Sequence, residues 1–230
     1  MIFNVILKAL RSLFNVKILM LSLVPLIISA IFWAIVFWFF SDQIDSALTY
    51  VLSFTPFNND TVKSIVAFIG GSIVYYELLV LTSVLIVGII ADKVVDIINE
   101  KEYHLQKEGF GTLMGSMWIS LKYNLIFVFL FILFLPTIFI PLLNIIVHLF
   151  LWAILIKNPF LYDSISSIAT KEEYEQLKQN KMDLWVISLI SASLFFVPVL
   201  GILVYILQLL VFIHYNLTQL REIRINKTMR

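Results

Sequence analysis

Four stretches of this chain of 230 residues are almost free of formal charge: residues 18–40, 64–91, 125–156 and 184–220. A helix rises 1.5 Å per residue, so about 20 apolar residues cross a hydrocarbon core about 30 Å thick. Runs of that length are what a lipid-embedded chain needs and a soluble fold has no use for. The rest of the sequence agrees: 61% of residues are hydrophobic and only 13% charged. A soluble domain is about 25% charged. Soluble enzymes, disordered regulators and disulfide scaffolds are therefore excluded.

The first run, 18–40, holds Pro25 about a third of the way in and Trp33 and Trp38 near one end. It is expected to span the membrane with a kink at the proline, which removes a backbone donor. The segment before it, 1–17, places Ile2, Phe3, Ile6, Leu7, Leu10, Leu13 and Phe14 at helical spacing, with Lys8 and Arg11 off that stripe. That pattern suits a basic amphipathic helix lying on a membrane surface or an ordinary lead-in. The run is too long for a signal-peptide core, and no small-residue cleavage site follows it.

Residues 41–63 read as an acidic loop closed by the turn sequence Thr55-Pro56-Phe57-Asn58-Asn59-Asp60, with Asp60-Thr61 as a helix cap. The second run carries one charge, Glu77, and its helical pattern continues into ADKVVDIINEKEYHLQKE. One long helix over 61–108 is expected, protruding beyond the bilayer and stopping at Gly109.

The last two runs differ from the first two. Pro136 and Pro141 interrupt 125–156, and Pro198 and Gly201 interrupt 184–220. Each reads as an apolar arm, a proline-centred break and a second arm, with arms of about 11–15 residues, short of the roughly 17 needed to span. Either each run crosses once, kinked, or each enters and returns as a re-entrant hairpin.

Basic residues choose between these, because Lys and Arg accumulate on the cytoplasmic side. The N-terminal tail has three, the 41–63 loop one, and the segments 92–122, 157–183 and 221–230 four each. If the broken runs cross, the split is 11 inside to 5 outside; if they are hairpins, it is 15 to 1. The expected fold is thus all-α and integral to the membrane. Two long transmembrane helices are joined by two Pro-broken re-entrant, half-inserting helical hairpins. Its parts are the basic helix 1–17, the span 18–40, the long helix 61–108, hairpins at 123–157 and 184–214, and a basic tail 215–230. All belong to one membrane domain, 1–230. Both termini are expected in the cytoplasm. A turn at bilayer depth exposes backbone groups that lipid cannot satisfy, so a homo-oligomer is expected, with the hairpin tips buried in protein or lining a water-filled path.

Candidate chemistry is sparse. There is no cysteine, and His104, His148 and His214 match no metal-ligand spacing. Phosphate-loop, nucleophile-elbow and zinc-hydrolase motifs are missing, so neither enzyme, cofactor nor metal is expected. The net charge of +1 gives no reason to expect nucleic acid. Glu77 is the one formal charge within a spanning run, where a carboxylate is costly and by default a functional candidate for a proton or a basic partner. His148 and His214 lie in the second arms of the two hairpins, where neutral histidines suit packing in a bundle interior, and Asn144 and Gln208 of the same arms suit interhelical hydrogen bonds or the lining of a polar path. Trp118, Trp152 and Trp185 suit an interfacial belt.

Taken in order, LVPLIISAIFW, VLIVGIIADKVVDIINE, FIPLLNIIVHLFLWAILIKNPFLYDSIS and FFVPVLGILVYILQLLVFIHY resemble the CysZ-type sulfate permeases of the etoposide-induced-protein family. The resemblance implies two long membrane helices plus two partly inserting helix pairs, oligomers in the bacterial inner membrane, and channel-like sulfate uptake feeding sulfur assimilation. The family's Gly-Leu/Ile-Arg anion motif, counted back from Pro25, falls on Lys17-Ile18-Leu19, where neither Gly nor Arg stands. Ala9-Leu10-Arg11 is the nearest literal match. By resemblance, Lys17 and Arg11, with Lys8, would supply the positive charge for an inorganic anion. A non-transporting membrane scaffold is the rival reading.

Overall fold

A computed structural model describes residues 2–53, 60–194 and 204–229. The described residues are helical with no strand: α1 (Ile2–Leu13), α2 (Val16–Phe39), α3 (Ser41–Ser53), α4 (Asp60–Ile98), α5 (Leu113–Phe134), α6 (Pro141–Ile165), α7 (Lys171–Gln179), α8 (Lys181–Ser193) and α9 (Val204–Thr228). Among the described residues, four helical stretches are long and apolar enough to cross a membrane: Val16–Phe39, Ser64–Tyr103, Leu113–Thr137 and Leu142–Ile165. The turn at 55–59 and the break at Pro198 and Gly201 lie outside the described residues. The chain divides into two compact units, Val24–Ser83 and the remainder.

Within Val24–Ser83, the later part of α2 runs antiparallel to the first part of α4. Ser83 donates to Ser29 at 3.2 Å, the Trp33 indole donates to Leu78 O and Thr82 Oγ1, and the Phe37 and Tyr75 rings meet edge to face. Pro25 is accommodated inside α2, which continues through it. Residues 41–53, expected as loop, form α3. Ser46 donates back to Asp42 O within it, the local bonding a helix offers a short polar side chain.

In the other unit, α4 ends earlier than its sequence pattern suggests. It loosens into a π-helical turn at Asn99–Tyr103 and stops at His104, whose φ of 52° is left-handed. Asn99 causes this: its side chain accepts from Leu105 N and donates to Leu105 O, both at 2.9 Å. Those bonds turn the chain before it reaches Gly109. Gly109 serves elsewhere, with its backbone pressed against that of Ser167, where a Cβ would collide.

Helices α5 and α6 form an antiparallel pair. Thr112 N donates to Tyr162 Oη at one end, and Phe131 meets His148 edge to face near the other. The prolines act as starters rather than breakers. Pro136 opens the 3-10 turn Leu135–Phe139 and Pro141 opens α6, positions where a missing N–H costs nothing. The arms are longer than the charge-free run implied: α5 has 22 residues and α6 has 25. Each extends past Lys122 or Lys157 into polar sequence, so by length alone either arm could span. The second pair keeps a short arm. Helix α8 has 13 residues and lies antiparallel to α9, through Asp183 with Tyr215 and Ser191 with Gln208.

The core of this unit sits around α9 and the second half of α6. Every residue of α9 from Val204 to Leu217 is buried, so α9 is enclosed on all faces. Around it pack α1, the second half of α6, α7 and α8. By contrast α5 exposes Leu125, Phe129, Ile132 and Leu133, a surface fit for lipid. Trp152, expected at an interface, is buried, whereas Trp118 is exposed and Trp185 lies under the Lys157 ammonium at 3.9 Å.

Candidate functional site

The basic residues near the N-terminus separate into two roles. Helix α1 buries Val5, Ala9, Ser12 and Leu13 and packs along α9. Its buried face therefore meets protein, and a second apolar strip, Phe3 at 71% exposed, Leu7 and Phe14 at 82%, faces outward. Helix α1 stops at Leu13, and α2 begins at Val16 after Asn15, whose side chain accepts from Lys17 N at 3.0 Å. Asn15 thereby caps α2, satisfying one of the free donors at its start.

Lys8 is exposed but has neighbours within the fold. Its ammonium lies 4.0 Å from Glu102 and 5.1 Å from the centre of the Tyr103 ring. Arg11 and Lys17 are exposed, and neither forms an ion pair among the described residues. They flank the start of α2, where free N–H groups and the helix dipole favour an anion.

His214 forms the junction that positions α1. It is fully buried, with Ser12 Oγ 2.9 Å from Nε2 and Tyr103 Oη 3.0 Å from Nδ1. A neutral imidazole offers one donor and one acceptor, and a hydroxyl can meet either. Tyr103 also donates to His214 O, and Thr218 Oγ1 lies 3.3 Å from its hydroxyl. The π-helical turn thus brings Tyr103 to α9, and α9 brings His214 to α1. The position of His214 in the sequence predicts only a packing role in a hairpin arm. The partners that define its place are 111 and 202 residues away.

Of the polar residues expected inside the membrane, Glu77 belongs to one unit and Asn144, His148 and Gln208 to the other. Glu77 is buried on the part of α4 that belongs to Val24–Ser83. Asn144 accepts from Thr137 at 3.3 Å across the α5–α6 turn, and its carbonyl meets His148 Nδ1. His148 lies between the Phe131 and Trp152 rings. Gln208 donates to Ser191 O at the end of α8, an interhelical bond of the kind its sequence position allowed.

Three polar residues went unremarked in the sequence. Ser116, Ser120 and Asn124 make up, with Phe127, the buried side of α5. Their spacing of four was legible, yet serines in an apolar helix are too common to single out. Asp163, also buried, accepts from Ser116 Oγ at 2.6 Å. No group of three or more His, Cys, Asp or Glu able to hold a metal ion occurs among the described residues.

The family described as sulfate transporter CysZ/etoposide-induced protein 2.4 matches residues 5–205 of the chain. Among curated proteins and among solved structures, nothing matches.

Proposed function

The chain belongs to the sulfate transporter CysZ/etoposide-induced protein 2.4 family, and from that premise we propose that it is a permease for a small inorganic oxyanion, sulfate first among them. The family match over 5–205 carries this reading. The apolar helices supply the membrane setting. Exposed Arg11 and Lys17, on either side of the α1–α2 junction, attract the anion at the membrane face, and the amino end of α2 adds backbone donors. Lys8 adds its charge from beside Glu102 and Tyr103. The path is channel-like, without a nucleotide or cofactor, and leads through a homo-oligomer of the bacterial inner membrane. The asymmetry of 15 basic residues to 1 supports cytoplasmic termini.

Flux of labelled sulfate into proteoliposomes tests the proposal. Wild-type protein is expected to take up sulfate well above empty vesicles. The Arg11→Ala, Lys17→Ala double variant should lose most of that flux while keeping its melting temperature, since both side chains are exposed. Absence of flux for sulfate, sulfite and thiosulfate alike would overturn it and favour a scaffold.

A further inference from the structure

Helix α5 meets the rest of the protein through its least apolar side. Three of its four buried residues, Ser116, Ser120 and Asn124, are polar and one or two turns apart. At the first of them stands Asp163 of α6, 2% exposed. Its Oδ1 accepts from Ser116 Oγ at 2.6 Å, while its Oδ2 is buried with no hydrogen-bond partner.

The third wall is bare backbone. Gly88 of α4 passes so close that a Cβ there would lie 2.5 Å from Ser116 Oγ and 3.1 Å from Asp163 Oδ2. Among the described residues no Lys, Arg or His lies within ion-pair distance of Asp163. The charged group that reaches it from α4 is another carboxylate, Asp92, one turn beyond Gly88. From α5 it meets only the Ser116 hydroxyl, and from α7 the Tyr174 phenol lies within its electrostatic reach. A carboxylate enclosed this way lacks solvent, counter-charge and a second donor. Burying an unpaired charge is prohibitive, and such a group neutralises instead.

We infer that the Gly88–Ser116–Asp163 junction is a proton-binding site, with the proton on Asp163 Oδ2 whenever α4, α5 and α6 are packed together. The bond formed is O–H, the proton comes from water and returns to it, and nothing else changes. The neutral acid lets the glycine backbone lie against it. The ionised form adds a negative charge beside Asp92 and drives the α5–α6 pair away from α4. The packing of that pair is therefore linked to pH. This inference stands on the packing alone and is independent of what the protein transports.

Infrared difference spectroscopy of the full chain in lipid nanodiscs, titrated from neutral to alkaline pH, reads the proton directly. Wild type is expected to show the C=O stretch of a protonated carboxylic acid at neutral pH and to lose it on alkalinisation. Asp163→Asn should lack that band, fold normally and keep its melting temperature over the range in which wild type declines. Asp92→Asn should retain the band but lose it at lower pH, because a neighbouring negative charge no longer opposes ionisation. The same neutral-pH band in Asp163→Asn overturns the inference. So does failure of Asp163→Asn to fold, since the amide mimics the neutral acid.

Discussion

Arg224 shows how much a single side chain can hold at the charged end of this protein. Its Nε and one terminal nitrogen grip the two Glu173 oxygens at 2.9 and 3.0 Å, and the guanidinium also donates to Gln106 O and Ile168 O. Glu173 in turn closes a capping box with Thr170 at the start of α7. Burial alone would raise the Glu173 carboxyl, but the Arg224 fork and the Thr170 N–H outweigh it and hold the group below its ordinary value. Arg224→Lys is expected to cost about 2–3 kcal/mol in thermal melts, because an ammonium cannot reproduce the fork. With a lowered folded value, the Glu173 contribution is complete above the ordinary 4.5 and fades as pH falls through the folded value. Acid melts should therefore show a smaller loss of stability for Glu173→Gln than for wild type. The carboxylate and the guanidinium were both plain in the sequence as charges. Their pairing across 51 residues was not, because local spacing encodes only neighbours on one helix.

At the scale of elements, α1 departs most from its sequence pattern. An amphipathic profile states that one face is apolar, not what covers it. Here α9 covers the face of Ala9, and Ser12, Lys8 and Tyr103 latch it through His214 and Glu102. Ala9 is fully buried, so Ala9→Leu should overpack the joint at about 1–3 kcal/mol. Limited trypsin digestion is the check: cleavage after Lys8 and Arg11 should be faster than in wild type. The hairpins carry a related lesson. Pro136 and Pro141 correctly marked a turn, since each lacks the donor a continuing helix needs. Arm length does not follow from the charge-free run, because the helices run on past Lys122 and Lys157 into residues whose charge ends an apolar run without ending a helix. The early stop of α4 at His104 is the converse case. A helical pattern continued to Glu108, and two hydrogen bonds from Asn99 overruled it.

Over the whole molecule, the distribution of burial leaves apolar surface for lipid or for a second copy of the chain. The enclosed core of the larger unit lies around α9 and the second half of α6, while the apolar parts of α5 leave large side chains uncovered. We expect a homo-oligomer, and mass measurement in detergent should give a multiple of 26.6 kDa; a monomer would speak against it. A topology reporter at Glu173, in the polar helix α7, should be active only on the cytoplasmic face. Activity on the outer face would contradict the antiparallel α5–α6 pair, which returns the chain to the side it left whether its arms of 22 and 25 residues half-insert or span.

The sequence by itself determined the solvent and the class of fold. Long charge-free runs need lipid, prolines at 136 and 141 need a turn, and the sidedness of Lys and Arg suggests an orientation. These are properties of composition along the chain, and no folding is required to state them. Only the tertiary structure decided which charges are held and which are free. It tied Lys8 into the α1 latch, left Arg11 and Lys17 exposed, and enclosed Asp163 against the backbone of Gly88. The physical reason is that a charge takes its meaning from the groups within a few ångströms of it. In this chain those groups come from helices far apart in sequence.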